Sequence, residues 1–481
     1  MVVKSPYYAT RPVSGRLPAT PCLRLVPRLT LLLALLLLSA VLQAAPQIQS
    51  WTTSKGSKVL FVPAPGLPML DLRVVFDAGS ARDGDRPGLA LITNAMLTEA
   101  AGPWSADELA ERMEFVGADL SNGALRDMAW VSIRSLTDPS VLEVSLSTLA
   151  ATLAQPAFIE KDFERMRSSI LATLQREQEN PADIASKAFY QAIYGDHPYA
   201  SNTTGTTASV QALSLEQARA FHRAYYVARN AVIAMVGDLS NAQARQIAEQ
   251  ISQDLPAGQA APALPAPKPL SGPLVRHIEH PSSQTHIYLG QPGMQRGDAD
   301  YFPLYVGNHV FGGSGLVSIL SEEVREKRGL SYSVSSYFLP MRQPGPFRMN
   351  AQTRNSQAEE AVRVMLDALR EFRQRGPTAE ELEASQRNIS GGFPLTIASN
   401  KKIVEYLAMI GFYDLPLDYL DRLVERVLAV TPEQVREAFM RRLDPERLVL
   451  ITVGQKAASS EGGSVDGPAD KPVDEQAAGQ R

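Results

Sequence analysis

The chain has 481 residues, enough for two or three domains of ordinary size, and an ordinary apolar share of 44%. Its formal charge of −4, with both signs interspersed, carries no basic patch, so nucleic acid is excluded as a partner class. A single cysteine leaves no pair for a disulfide, so stability has to come from the core.

Residues 29–45 form the one long apolar run; Arg24 and Arg28 precede it, and Gln43-Ala44-Ala45-Pro46 follows. A basic lead, a Leu-rich core and small residues at its end predict a secretory signal peptide over 1–45, cut near Ala44 or Ala45, with no membrane anchor afterwards. Cys22 lies before that core, where it cannot serve as a lipid anchor, and the exported chain then has no cysteine. A bacterial periplasm is the expected location.

The alternation Leu70-Asp71-Leu72-Arg73-Val74-Val75-Phe76 predicts a strand running to Gly79. Pro87–Leu97, nearly all apolar, predicts a buried helix with Pro87 in its first turn. Ser105-Ala106-Asp107-Glu108 is a capping box that opens a helix ending near Gly117. Asn122-Gly123-Ala124 then leads into the apolar run Met128-Ala129-Trp130-Val131; by residue type alone it reads as well as a turn. Residues 255–273, with prolines at 256, 262, 265, 267, 269 and 273, predict a semi-extended linker without helix or strand. From about Lys456 the chain is Ser, Gly, Ala, Asp and Pro, the composition of a disordered tail.

Landmarks recur at a nearly constant offset. Val236-Gly237 and Val453-Gly454 each close an apolar strand about 217 residues apart, and Pro156 and Pro377 each precede a helix about 221 apart. The strand ending at Gly79 matches Thr285–Gly293, about 214 residues on. A duplicated domain is therefore expected: 46–254, a linker over 255–275, and 276–455, with a tail over 456–481. In the second copy Thr378-Ala379-Glu380-Glu381 is a second capping box, and Val362, Met365, Leu366, Leu369 and Phe372 share one helix face.

Several of these segments resemble the M16 (pitrilysin-like) metallopeptidases, in the small two-domain bacterial form. That family carries Gly-Leu-Ala-His-x-x-Glu-His-Met where this chain reads Gly88-Leu89-Ala90-Leu91-Ile92-Thr93-Asn94-Ala95-Met96. In the family the two His bind zinc and the Glu activates water. Here the His positions are Leu91 and Ala95, and the Glu position is Asn94. The remaining family ligand, a glutamate on a later helix, falls at Ala172 or Thr173, depending on a one-residue shift in alignment. Aliphatic side chains offer no lone pair, and a carboxamide is too weak a base to deprotonate water.

The second half keeps more of the family pattern, over residues 320–334 and again at Ile389-Ser390-Gly391-Gly392-Phe393. The resemblance places a substrate-binding pair at Arg328 and Tyr332, and an edge strand that pairs with peptide at Asn122. It implies an α+β fold of two homologous domains, each a mainly antiparallel sheet with helices on one face, enclosing a chamber. It further implies the metal-free subunit of a heterodimeric periplasmic peptidase. No cofactor is expected in this chain; zinc belongs to a homologous partner carrying His-x-x-Glu-His, and the ligand is an extended peptide.

Two other readings stay open. One is a non-catalytic peptide-binding or scaffolding protein of the same fold. The other is an independent metallopeptidase with a displaced site around His277, His280 and His286; strand geometry disfavours it, because His277 and His280 then point to opposite faces. His197, His222 and His309 read as turn or packing residues.

Overall fold

A computed structural model describes residues 47–456; the expected signal peptide and the tail beyond 456 lie outside the described residues. The first half contains β1 (Gln49–Thr52), β2 (Lys58–Pro63), β3 (Met69–Phe76), α1 (Leu89–Met96), a small hairpin of β4 (Ala100–Ala101) and β5 (Trp104–Ser105), and α2 (Ala106–Phe115). It continues with β6 (Asp119–Ala124), β7 (Ala129–Leu136), α3 (Pro139–Ala154), α4 (Glu160–Glu179), α5 (Pro181–Tyr194), α6 (Thr207–Ala212), α7 (Leu215–Tyr225), β8 (Ala231–Gly237) and α8 (Asn241–Gln253). The second half runs β9 (Leu274–Glu279), β10 (Gln284–Pro292), α9 (Tyr301–Asn308), two π-helical turns (His309–Gly313, Ser321–Glu326), β11 (Ser331–Phe338) and β12 (Pro346–Arg354). It ends with α10 (Ala358–Arg375), α11 (Ala379–Thr396), α12 (Asn400–Phe412), α13 (Tyr419–Leu428), α14 (Pro432–Arg442) and β13 (Val449–Gly454).

The duplication is visible in strand order. One sheet runs β1-β2-β8-β3-β7-β6 and the other, read from its far edge, β9-β13-β10-β12-β11. Leaving β1 aside, the two orders superimpose, and in both the only parallel pair comes at the same place, β2 with β8 and β9 with β13. By this match β6 and β11 are equivalent free edges. α+β architecture with two sheets is what the sequence predicts.

Each half's own helices cover one face of its sheet, as expected. The second face is closed by the other half. β8 is buried along its whole length: Ile233 and Met235 enter the first half's core, while Val232, Ala234 and Val236 enter the core built around the second half. Over that second face lies α12, packed on β2, β3 and β8. Gly411 makes the approach possible, since a Cβ there would sit 2.5 Å from Val232 and 2.7 Å from Leu60. The exchange is reciprocal. α5 packs on β10 and β13, bringing Phe189 and Ile193 against Val449, Ile451 and Val453.

Magnitudes say which contacts hold the halves together. Burying a Val, Leu or Phe side chain is worth roughly 1.5–3 kcal/mol. An exposed ion pair such as Lys58–Asp414 is worth about 0–1 kcal/mol. Apolar exchange dominates. One polar knot adds to it: buried Asp127 accepts from the Tyr199 hydroxyl (2.5 Å), the Tyr413 hydroxyl (2.9 Å) and the Arg342 backbone N–H (2.7 Å). Burial first, and the Asp127 carboxylate second, push both tyrosine hydroxyls well above their ordinary range, so they stay protonated donors.

Three sequence expectations need correction. Pro87 precedes α1 instead of entering its first turn, because Gly88, at φ 95°, is the cap. On α10 the core line is Ala361, Val364, Met365, Ala368, Leu369 and Phe372, while Val362 and Leu366 are only half-buried and pack against its border. The Pro-rich segment has no helix or strand up to Gly272, as expected, but β9 begins at Leu274, inside the range assigned to the linker. Nor is the segment a loose spacer. Leu264 is buried, its carbonyl accepts from Gln343 (2.9 Å), and the Pro265 carbonyl accepts from His197 Nε2 (2.8 Å).

Asp127→Ala removes the acceptor of two buried hydroxyls and a backbone N–H. It should lower the unfolding free energy by on the order of 3 kcal/mol, read as a lower urea midpoint at unchanged slope. Tyr413→Phe, which removes a single bond, should cost about 1 kcal/mol.

Candidate functional site

The segment that resembles the zinc helix does form a short buried helix, α1. Its start is fixed by Asp83: Oδ2 accepts from the Gly88 N–H at 2.8 Å and Oδ1 from the Ala90 N–H at 2.7 Å. A carboxylate at a helix N-terminus satisfies donors that the helix leaves unpaired. Burial pushes the Asp83 carboxyl up to about 7, while those two N–H groups and Arg126 pull it back.

Along α1, Leu91 is half-buried against the first half's core and Ala95 half-buried beside it. Asn94 is buried, and its Nδ2 donates to the Trp130 carbonyl (3.3 Å) and the Tyr226 hydroxyl (3.2 Å). Behind it stands a closed stack: Tyr226 lies against His222 with ring centroids 5.0 Å apart, and His222 Nε2 donates to the Leu153 carbonyl at 2.9 Å. Asn94 therefore belongs to a packed hydrogen-bond set. On α4, Ala172 is exposed and the Thr173 hydroxyl donates to the Ser169 carbonyl in its own helix.

Zinc sites need three or four N, O or S donors converging at about 2.0–2.3 Å. The motif positions here supply two aliphatic side chains and an amide whose N–H groups are already engaged. These residues do not fit a zinc ion. No group of three or more His, Cys, Asp or Glu able to hold a metal occurs among the described residues. Around the displaced-site histidines, His277 bonds Thr452 Oγ1 (2.9 Å) and Glu279 (3.2 Å), and His280 lies past the end of β9.

Asn122 sits on β6, the free edge of the first sheet, and its Nδ2 donates to the Asn94 carbonyl at 2.6 Å. The structure thus joins Asn122 to the degenerate helix, and the segment is strand, not turn. Arg328 and Tyr332 lie in the other half, at and just before the equivalent edge β11. Arg328 Nη1 bonds the carbonyl and the carboxylate of Glu323, both at 2.7 Å, at the close of the second π-helical turn. Tyr332 is 90% exposed. It sits at a β-bulge: Ser331 pairs with Thr353 and Ser333 with Gln352, leaving Tyr332 without a partner on β12. Bulges turn a side chain out of the ladder and occur next to functional sites. A large aromatic held fully in solvent at such a point has no packing role.

Two comparisons fix the family. A model described as insulinase (peptidase family M16) matches residues 58–207, and one described as peptidase M16 inactive domain matches residues 212–389. The crystal structure of a peptidase M16 inactive domain from Pseudomonas fluorescens has a TM-score of 0.83 and 41% identity, covering 85% of this chain and 98% of that one. The chain belongs to the M16 family. A Helicobacter pylori protease structure, at 18% identity and TM-score 0.79 over 85% of this chain and 100% of its own, shares the fold. Among curated relatives, an uncharacterized zinc protease of Streptomyces coelicolor is 27% identical over 340 residues, 69% of this chain and 73% of that protein. One of Bacillus subtilis is 24% identical over 411 residues, 84% of this chain and 98% of that one.

Reading the sequence of this M16 chain missed Asp83, Asp127 and Tyr226, which hold the site and its frame. Asp83 stands in an acidic, Gly-containing loop that the family pattern places before the helix. The partners of Asp127 and Tyr226 lie 72 to 286 residues away, beyond any local signal.

His222 titrates at about 4 in the folded chain against an ordinary 6.5, because burial disfavours the charged ring. Its contribution to stability is therefore complete above about 6.5 and lost as pH falls through about 4, up to about 3 kcal/mol. His222→Gln, whose amide can still reach the Leu153 carbonyl, should flatten the fall in Tm across that window. Equal slopes for native and variant would sink this assignment.

Proposed function

We propose that this chain is the metal-free subunit of a heterodimeric periplasmic M16 peptidase, completed by a homologous subunit that carries His-x-x-Glu-His. In that assembly the partner supplies zinc and the activated water. This chain binds extended peptide, and Arg328 and Tyr332 reach toward it. A guanidinium offers a planar fork of donors to a carbonyl or carboxylate. A phenol can donate to the oxygen that becomes negative as water adds to the peptide bond. The free edge β6, with Asn122, offers backbone groups in fixed register to an extended chain.

The observation that carries this reading is Tyr332, displayed on a bulge at a free edge, in a chain whose metal positions hold no ligand. The basic, Leu-rich N-terminus and the absence of cysteine after residue 22 support export. A scaffolding role without proteolysis is the second reading. It is favoured by one contact, Arg328 capping its own turn through the Glu323 carbonyl.

Alone, the purified chain should show no chelator-sensitive peptidase activity, since both the metal and the general base are missing. Mixed with a zinc-bearing M16 homologue from the same genome, it should yield a peptidase. Tyr332→Phe or Arg328→Ala should then lower kcat by roughly 10²–10³. An active pair indifferent to both substitutions would remove their catalytic role, and a pair with no activity would favour the scaffold.

A further inference from the structure

The second half contains a cavity that the composite-site reading does not use. It lies between α9, the π-helical turn after it and the end of β11, opens to solvent, and has a volume of about 380 Å³. Small-ligand pockets run to roughly 300–1,000 Å³. Tyr301, Tyr305, Asn308 and His309 line it from one helical face, and Tyr337 and Phe338 close the opposite wall. Turns of π-helix are rare and gather at functional sites. Here His309 and Gly313, the two ends of that turn, both line the cavity.

Most polar groups around the cavity are already engaged. Asn308 Nδ2 donates to the Ser336 carbonyl (3.1 Å), and its Oδ1 accepts from the Ser336 hydroxyl (2.7 Å). His309 bonds Ser385 Oγ (3.0 Å) and Asn388 Oδ1 (3.2 Å), and burial lowers its pKa, so the ring is neutral. Arg296 is the charged group that is not so engaged. Its guanidinium lines the cavity over the rings of Tyr413 (5.6 Å) and Tyr301 (6.0 Å), and its buried Nε has no hydrogen-bond partner among the described residues. No carboxylate comes within ion-pair distance of it there, although the nearby Asp298 and Asp300 pair with Arg441 and Arg442.

An unpaired guanidinium at the edge of an aromatic slot is matched by a carboxylate carried on an apolar body. We propose that this cavity binds the C-terminal carboxylate of a peptide whose last side chain is aromatic or large and apolar. Arg296 holds the carboxylate, while Tyr301, Tyr305 and Phe338 enclose the side chain. The choice of a peptide end over another aromatic acid rests on the peptide-handling function proposed above. The requirement for a carboxylate beside an apolar group does not.

The test is calorimetric titration of the intact chain, without any partner, using N-acetyl-Ala-Phe and its C-terminal amide. The acid should bind saturably, and the amide more weakly by roughly tenfold or more. Arg296→Met should bring acid and amide to one weak affinity, and Arg296→Lys should keep part of the preference, each with native-like melting. Tyr305→Ala should weaken both probes while leaving their ratio in place. No saturable binding of the acid, equal binding of acid and amide, or an unchanged preference in Arg296→Met would overturn the assignment. If 3-phenylpropionate bound as tightly as the peptide acid, the peptide end would be the wrong ligand. The titration needs neither zinc nor a second subunit, so its failure is distinguishable from a failed Arg328 or Tyr332 test in the assembled pair.

Discussion

Both halves face the same constraint: each sheet has two apolar faces, and its own helices cover only one. β8 makes it plain, because alternate residues of a single buried strand enter two different cores. A sheet face left in water would forfeit roughly 1.5–3 kcal/mol for every large side chain on it. The chain resolves this by exchange, with α12 covering the first sheet and α5 the second. Glycine at 411 lets α12 approach the strands, and the Asp127 knot fixes the register of one half on the other. The positions of both free edges, and so of Asn122 and Tyr332, follow from that packing.

In the first half, the helix that stands where the family pattern has its zinc motif is held without a zinc ligand at Leu91, Asn94 or Ala95. Asp83 still fixes the start of α1, and Asn122 still ties the edge strand to it. At the centre, an amide donates to a carbonyl and a phenol, a neutral arrangement that is stable without a cation. The frame is kept by hydrogen bonds that do not depend on the motif. In the second half the exposed features cluster on and around β11, with Tyr332 at one end and the Arg296 cavity at the other.

Much of this was legible in the sequence, and the physics explains which parts. The duplication could be read because strand closures such as Val236-Gly237 and Val453-Gly454 are local and repeat. The capping boxes at Ser105 and Thr378 were legible for the same reason and stand as expected. Alternation along β3 gave the strand, but it could not say that Val75 points into a core built by the other half. The Pro-rich segment was recognisable as lacking helix and strand; that Leu264 anchors it depends on Gln343, 79 residues away. For the candidate site, the identities of Leu91, Asn94 and Ala95 decide the chemistry without any structure. The bulge under Tyr332 and the lone charge of Arg296 are properties of pairing and burial, which a single sequence does not display.

The crossed helices also set an order of events during synthesis. Val232 and Val236 are made long before α12, about 170 residues further on, exists to cover them. Until then the first sheet presents a greasy surface to its surroundings, and the nascent half is prone to sticking. Closure of both sheets therefore waits until both halves are present, and the two cores form in a single collapse.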